Sequence, residues 1–267
     1  MKNIRDMKDT KEQKLLKKEW EQLLKSEQRI IQKQVKKGPS FLEEKLAKYV
    51  PEKLQGMLDE AFYKAFEVIF QHGTEIIEKT YHKEEEQRQY QVNEYAVNLQ
   101  KDKKSMRAFQ KQAGRTTRKN MAVSAVASVG FGLAGLGLPD IPFFTSLMLK
   151  SIYEIALSYG YTYDSEKERL FILKLIEASI CRGEKMQELD AQINRFLVHG
   201  QEFSETEQEQ LKKTAQALSE EMLYLKFIQG TPVVGLAGGC SDILYLNQIT
   251  AYAALKYRKR FLIVQQQ

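Results

Sequence analysis

SEKERLFILKLIEASICRGEKMQELDAQINRFLVHG, residues 165–200, reads as two consecutive helices and sets the class of the whole chain. Ser165 followed three residues later by Glu168 is a capping box, the pattern that satisfies the first free amides of a helix. Leu170, Phe171, Leu173, Leu175, Ile176 and Ile180 then recur at helical spacing, and Gly183 marks a stop. A second helix is expected from Glu184 to His199, closed by Gly200, which accepts the left-handed conformation helices often end on.

The same signals repeat on both sides. Residues 10 to 37 form one long predicted helix whose stripe of Leu16, Trp20, Leu23, Leu24, Ile31 and Val35 is interrupted by Glu27, and Gly38-Pro39 ends it. Ser40 with Glu43 opens a short helix to Val50, and Pro51 suits the first turn of another that runs to about Tyr81. A polar helix is expected from about Lys83 to Gln112. After Pro139-Asp140-Ile141-Pro142 the chain continues as an amphipathic helix to about Tyr159. Ser204 with Glu207 is the expected cap of a helix to about Ile228, and a last helix is expected from about Ser241 to Arg258.

No segment alternates at period two for long enough to make a strand, and only five of 267 residues are proline. The predicted class is all-α: a bundle of roughly eight to ten helices, with residues 1–37 a charged helical arm and 38–267 a single domain around Gly/Ala-rich hairpins. A hydrophobic content of 43% is enough to bury a core.

Two cysteines, Cys181 and Cys240, have no C-x-x-C spacing, so neither a disulfide framework nor a zinc site is expected and both thiols read as reduced and buried. The histidines His72, His82 and His199 are scattered, and neither G-x-S-x-G nor H-E-x-x-H occurs. The charged N-terminus lacks the apolar stretch of a secretory signal, which predicts a cytoplasmic protein.

Charge is unevenly placed. Residues 1–120 hold 27 Lys/Arg against 19 Asp/Glu, whereas the remainder hold 14 against 16. Lys101, Lys103, Lys104, Arg107, Lys111, Arg115, Arg118 and Lys119 face the single acid Asp102, immediately before MAVSAVASVGFGLAGLGL, residues 121–138, which carries no charge. Such a block attracts anionic head groups by about 1 kcal/mol per basic residue. The uncharged run is at the short end for a bilayer span, which needs about 20 residues; its small-x-x-x-small spacing, Ser124, Ser128, Gly132 and Gly130, Ala134, lets helices dock closely. The expected contact surface is Lys103, Lys104, Arg107, Lys111, Arg115, Arg118 and Lys119 with Phe131 and Leu133, and the partner a membrane surface or membrane protein. Nucleic acid is disfavoured, because the block lacks interleaved aromatics and no helix-turn-helix pattern appears.

Two stretches echo one another. Placing Gly137 over Gly239 superposes Gly135 on Ala237, Asp140 on Asp242 and Ile141 on Ile243. Gly137, Pro139, Asp140 and Pro142, and Gly235, Gly239 and Asp242, are read as structural: close helical crossings in which each aspartate meets the free amides of the helix that follows. The functional alternative is an enzyme of unknown chemistry using Asp140 and Asp242 in a central pocket, with Glu168 and Arg169 as an alternative polar site. No Walker lysine follows either glycine loop, so no nucleotide site is expected, nor any metal or other cofactor.

At GLAGLGLPDIPFFTSLMLKSIYEIALSYGY, SEKERLFILKLIEAS and GTPVVGLAGGCSDILYLNQITAYAALKYRKRFL the chain resembles the EcsC family, found in bacilli beside the two components of the Ecs ABC transporter. The specific parts are Gly137 to Pro142, the Glu168-Arg169 pair, Pro232-Val233-Val234-Gly235 and Tyr257 to Leu262. The resemblance implies a cytoplasmic, mostly helical protein linked to an ABC transporter implicated in secretion and competence, and it carries over no catalytic residue or cofactor. The combined expectation is a non-enzymatic accessory protein, peripheral on the inner face of the membrane, with ABC transporter subunits as partners.

Overall fold

A computed structural model describes residues 4–36, 52–73, 87–88, 90–91, 140–228 and 238–266. Seven α-helices occupy them: α1 (Ile4–Val35), α2 (Glu52–Val68), α3 (Asp140–Ser158), α4 (Glu166–Ile180), α5 (Gly183–His199), α6 (Glu207–Ile228) and α7 (Gly238–Gln266), with a π-helical turn (Ile69–Gly73) extending α2. No strand occurs among the described residues, so the fold is all-α. The helices expected at residues 40–50 and 83–112, and the segment 101–138, lie outside the described residues, apart from four helical residues at 87–91.

The core is a stack centred on α4. Phe171, Ile172, Leu173, Leu175, Ile176, Ala178 and Ile180 are all buried, because α4 is covered by α5, α6 and α7 together. α2 packs on α6 and α3, α3 on α7, and α1 lies along α5 and α7. α2 turns an aromatic face to the core, with Phe62 and Phe66 buried and Phe66 6.0 Å from Phe70 between ring centroids.

α3 differs from its reading as amphipathic. From Met148 to Tyr159 every residue except Lys150 is buried, because a helix sandwiched between α2 and α7 has no solvent face. Its serine hydroxyls are satisfied within the helix, Ser151 donating to the Leu147 carbonyl at 2.9 Å and Ser158 to that of Ile155 at 2.7 Å. α3 ends in a Schellman motif: Tyr161 N–H donates to Ala156 O at 2.9 Å and Gly160 N–H to Leu157 O at 2.9 Å, with Gly160 at φ 82°.

The caps are informative in detail. Ser165 accepts from the Glu168 amide at 3.2 Å as expected, but the Glu168 carboxylate does not reach back; it points into the core toward α7. Gly200 closes α5 at φ 66°. The expected Ser204–Glu207 cap on α6 is displaced by two residues: Thr206 accepts from the Glu209 amide at 3.3 Å and Glu209 accepts from the Thr206 amide at 2.9 Å. Both pairs match the same pattern, and Glu207 is drawn instead to Arg169. α7 starts earlier and ends later than expected, because Phe261 and Leu262 beyond Arg258 are still buried against the core.

Candidate functional site

α7 carries charged residues on two faces, one buried and one partly buried. Tyr252, Lys256 and Lys259, at i, i+4 and i+7, form one face; they meet Asp190 and Asn194, at i and i+4 on α5, and Glu27 of α1. Lys256 Nζ lies 2.6 Å from Asp190 Oδ1, donates to Glu27 Oε1, and reaches Asn194 Oδ1 at 3.0 Å. Lys259 Nζ donates to both Glu27 oxygens at 2.9 and 2.7 Å and to Asn194 Oδ1 at 2.9 Å. Asn194 returns its amide N–H to Asp190 Oδ2 at 2.8 Å, and the Tyr252 hydroxyl donates to Asp190 Oδ1 at 2.6 Å. Two ammonium groups and two carboxylates thus cancel, with Lys256 fully buried.

Burial raises the Glu27 carboxyl, but the charge of Lys256 and the hydrogen bonds from both lysines together outweigh it and hold the group below its usual range. Lys259 moves down, because burial and the like charge of Lys256 act against its ammonium more than Glu27 supports it. Tyr252 is pushed well above the ordinary phenol value by burial and by the neighbouring Asp190 carboxylate.

The second face centres on Glu168. Its Oε1 accepts from the Tyr257 hydroxyl at 2.7 Å, and Arg260 Nη1 reaches Oε1 and Oε2 at 2.9 and 2.7 Å. The Arg260 guanidinium lies over the Tyr161 ring at 3.9 Å, so it is stacked as well as paired. Arg169, the sequence neighbour of Glu168, turns the other way: it donates to Glu207 at 2.9 Å and to the Asp164 carbonyl at 2.7 Å. The structure therefore does not bring Glu168 and Arg169 into one polar site.

A third cluster joins α4 to the loop before α6. Buried Lys174 donates to Gln192 at 3.0 Å and Glu205 at 2.8 Å, and Lys213 reaches the same Glu205 oxygen at 3.0 Å. Burial raises the Glu205 carboxyl, yet the hydrogen bonds from Lys174 and Lys213 bring it down to about 2. A carboxyl whose folded pKa lies below its unfolded value stabilises the fold above the unfolded value and loses that contribution as pH falls. Glu205 and Glu27 both act in this sense. Urea midpoints are therefore expected to fall between pH 4.5 and pH 2, and Glu205→Gln to flatten that acid limb; an unchanged limb in the variant would remove Glu205 from the account.

Chemically these groups are engaged with one another. Both oxygens of Glu168 and of Glu27 are engaged by cations, which leaves no lone carboxylate poised as a base in either cluster. The half-buried Cys181 thiol is pushed up to about 12 by burial, so it is not a thiolate at neutral pH. Among the described residues no three His, Cys, Asp or Glu side chains gather as a metal site requires.

Of the residues singled out from the sequence, Lys103, Lys104, Arg107, Lys111, Arg115, Arg118, Lys119, Phe131, Leu133, Gly137, Pro139 and Gly235 lie outside the described residues. Asp140 is the first residue of α3, Pro142 is exposed in its first turn, and Gly239 and Asp242 fall in the opening turns of α7. The two helices that carry these motifs pack against each other.

The EcsC protein family model matches residues 12–262, a range that takes in all three clusters. The chain belongs to the EcsC protein family. In this EcsC protein the matched range runs from within α1 to near the end of α7. The Bacillus subtilis (strain 168) protein "Uncharacterized protein YdbA" is similar to it, 29% identical over 155 residues, or 54% of this chain and 53% of that protein. The chain thus aligns with about half the length of that relative. No solved structure matches it.

Residues to which the sequence reading gave no role of their own carry most of the polar geometry: Asp190, Asn194, Tyr252, Lys256 and, within the stretch Tyr257 to Leu262 that carries the resemblance, Tyr257, Lys259 and Arg260. One signal was present, Glu27 standing where α1's apolar stripe called for a hydrophobic side chain. A charge at a core position implies a buried partner of opposite sign somewhere in the chain.

Proposed function

We propose that this EcsC protein is a non-enzymatic accessory protein that works at the cytoplasmic face of the membrane, with subunits of an ABC transport system as its membrane-protein partner. One observation carries the reading. The block Lys101–Lys119 holds eight basic residues against one acid, a surplus larger than the net +6 of the entire chain, so the rest of the sequence is balanced to within one charge. That surplus adjoins an 18-residue uncharged run, 121–138. The described fold adds support by contrast, since its buried cations Lys174, Lys256 and Lys259 are matched by acids from neighbouring helices or, for Lys174, from the loop before α6.

An anionic surface attracts such a block by about 1 kcal/mol per basic residue within a Debye length. No described helix is long and apolar enough to cross a membrane. Attachment by charge is then expected to be reversible by salt.

Flotation with vesicles tests this. The protein is expected to float with phosphatidylglycerol vesicles at low salt and to be released at high salt, and to stay behind with phosphatidylcholine. Changing Lys103, Lys104, Arg107, Lys111, Arg115, Arg118 and Lys119 to glutamine should abolish flotation, while undiminished binding of that variant would assign the contact elsewhere.

A further inference from the structure

α1 is attached through a seam that mixes buried polar side chains with partly buried apolar ones. Of the four buried residues described between positions 13 and 35, Glu19, Leu23, Glu27 and Gln34, only Leu23 is apolar. Leu24, counted in the apolar stripe by the sequence, is exposed instead. Glu19 accepts from Arg258 at 2.7 Å, Glu27 takes Lys256 and Lys259, and Gln34 donates to the Ser179 carbonyl at 2.8 Å. Two buried atoms of this seam, Gln34 Oε1 and Arg258 Nε, have no hydrogen-bond partner. Ion pairs taken out of water do little more than offset their own desolvation, so these pairs give register rather than strength.

Beneath α1 lies a basic strip on α7: Lys256, Arg258 and Lys259. Asp190 stays on Lys256 when α1 leaves, whereas Arg258 and Lys259 lose the acids facing them from α1. α1 is itself cationic, with nine Lys/Arg against six Asp/Glu between Ile4 and Val35, and it carries Leu15, Leu16, Trp20, Leu23, Ile30 and Ile31 toward the core. Both surfaces of an opened seam therefore suit one occupant, an anionic bilayer: phosphates for Arg258 and Lys259, and an interfacial bed for a basic amphipathic helix.

We propose that α1 is an autoinhibitory strap, docked by Glu19 and Glu27 over the basic strip of α7, that lifts and lies on an anionic bilayer when the protein reaches one. This rests on the membrane reading above but does not follow from it, because the block Lys101–Lys119 can bind lipid with α1 still docked.

Trp20 is the chain's one tryptophan and sits on the docked side of α1, with Lys259 Nζ 5.9 Å from its ring. Phosphatidylglycerol vesicles brominated on the acyl chains are expected to quench its fluorescence, and brominated phosphatidylcholine is not. Glu19→Gln with Glu27→Gln, which raises the open population, should reach half-quenching at roughly tenfold less lipid. A second indole position guards against a docked helix touching lipid by its outer side: Leu24→Trp in a Trp20→Phe background places the probe on the exposed face. Quenching of the probe at 24 without quenching at 20 overturns the strap. So does flotation with phosphatidylglycerol vesicles while Trp20 stays unquenched, a result that leaves the membrane reading standing. Failure to float at all overturns both.

Discussion

Lys256→Ala is expected to lower the unfolding free energy by about 3–5 kcal/mol, the usual consequence of removing one member of a buried ionic cluster. Lys256 is fully buried between Asp190 and Glu27. Glu27 would keep Lys259, but the buried Asp190 carboxylate would be left with the hydrogen bonds of Tyr252 and Asn194 in place of an ammonium partner. Against a total stability of about 5–15 kcal/mol for a domain, that is a large fraction. Lys213→Ala is the comparison: its ammonium pairs with Glu205 but its side chain is 51% exposed, so less than about 1 kcal/mol is expected. Urea unfolding of both variants measures the contrast. A Lys256→Ala loss as small as that of Lys213→Ala would mean that water reaches the cluster and that its ions are not desolvated.

Gly160→Ala is expected to destabilise by roughly 2–5 kcal/mol, from two separable sources. At φ 82° an alanine is in the left-handed region, worth about 1–2 kcal/mol. Its Cβ would also lie 2.6 Å from Tyr90 Cε1 and 2.7 Å from the Tyr90 hydroxyl, with Cζ nearer still. The ring must shift or α3 must change its exit. A double-mutant cycle with Tyr90→Ala separates the two: in the absence of the ring, Gly160→Ala should retain only the backbone part. Zero coupling between the positions would show that Tyr90 does not press on Gly160 in solution.

The helices were legible because their boundaries are written in local chemistry. Ser165 caps α4 through its hydroxyl and Gly200 closes α5 in the left-handed region, and neither depends on anything distant in the chain. Where local signals competed, tertiary partners decided. Ser204–Glu207 and Thr206–Glu209 are equivalent as patterns, and the choice fell to the pair whose glutamate is not claimed by Arg169. The burial of α3 from Met148 to Tyr159, Lys150 apart, has no local signature either, since it follows from α2 and α7 covering it from both sides.

The buried polar clusters were the least legible. Glu27 and Lys256 are 229 residues apart, and nothing in the spacing of either announces the other. Glu168 and Arg169 illustrate the converse, since adjacency on a helix turns side chains about 100° apart and here sends them to different partners, Arg260 and Glu207. What the sequence does display is the segregation of charge into Lys101–Lys119, because a net surplus is a sum over residues and needs no contact map.

Fractionation of cells that make the protein from its own gene tests the membrane account most directly. The protein is expected in the membrane pellet at low ionic strength and in the supernatant after a high-salt wash, as charge-based attachment requires. Recovery of the whole population in the soluble fraction at low salt would contradict it.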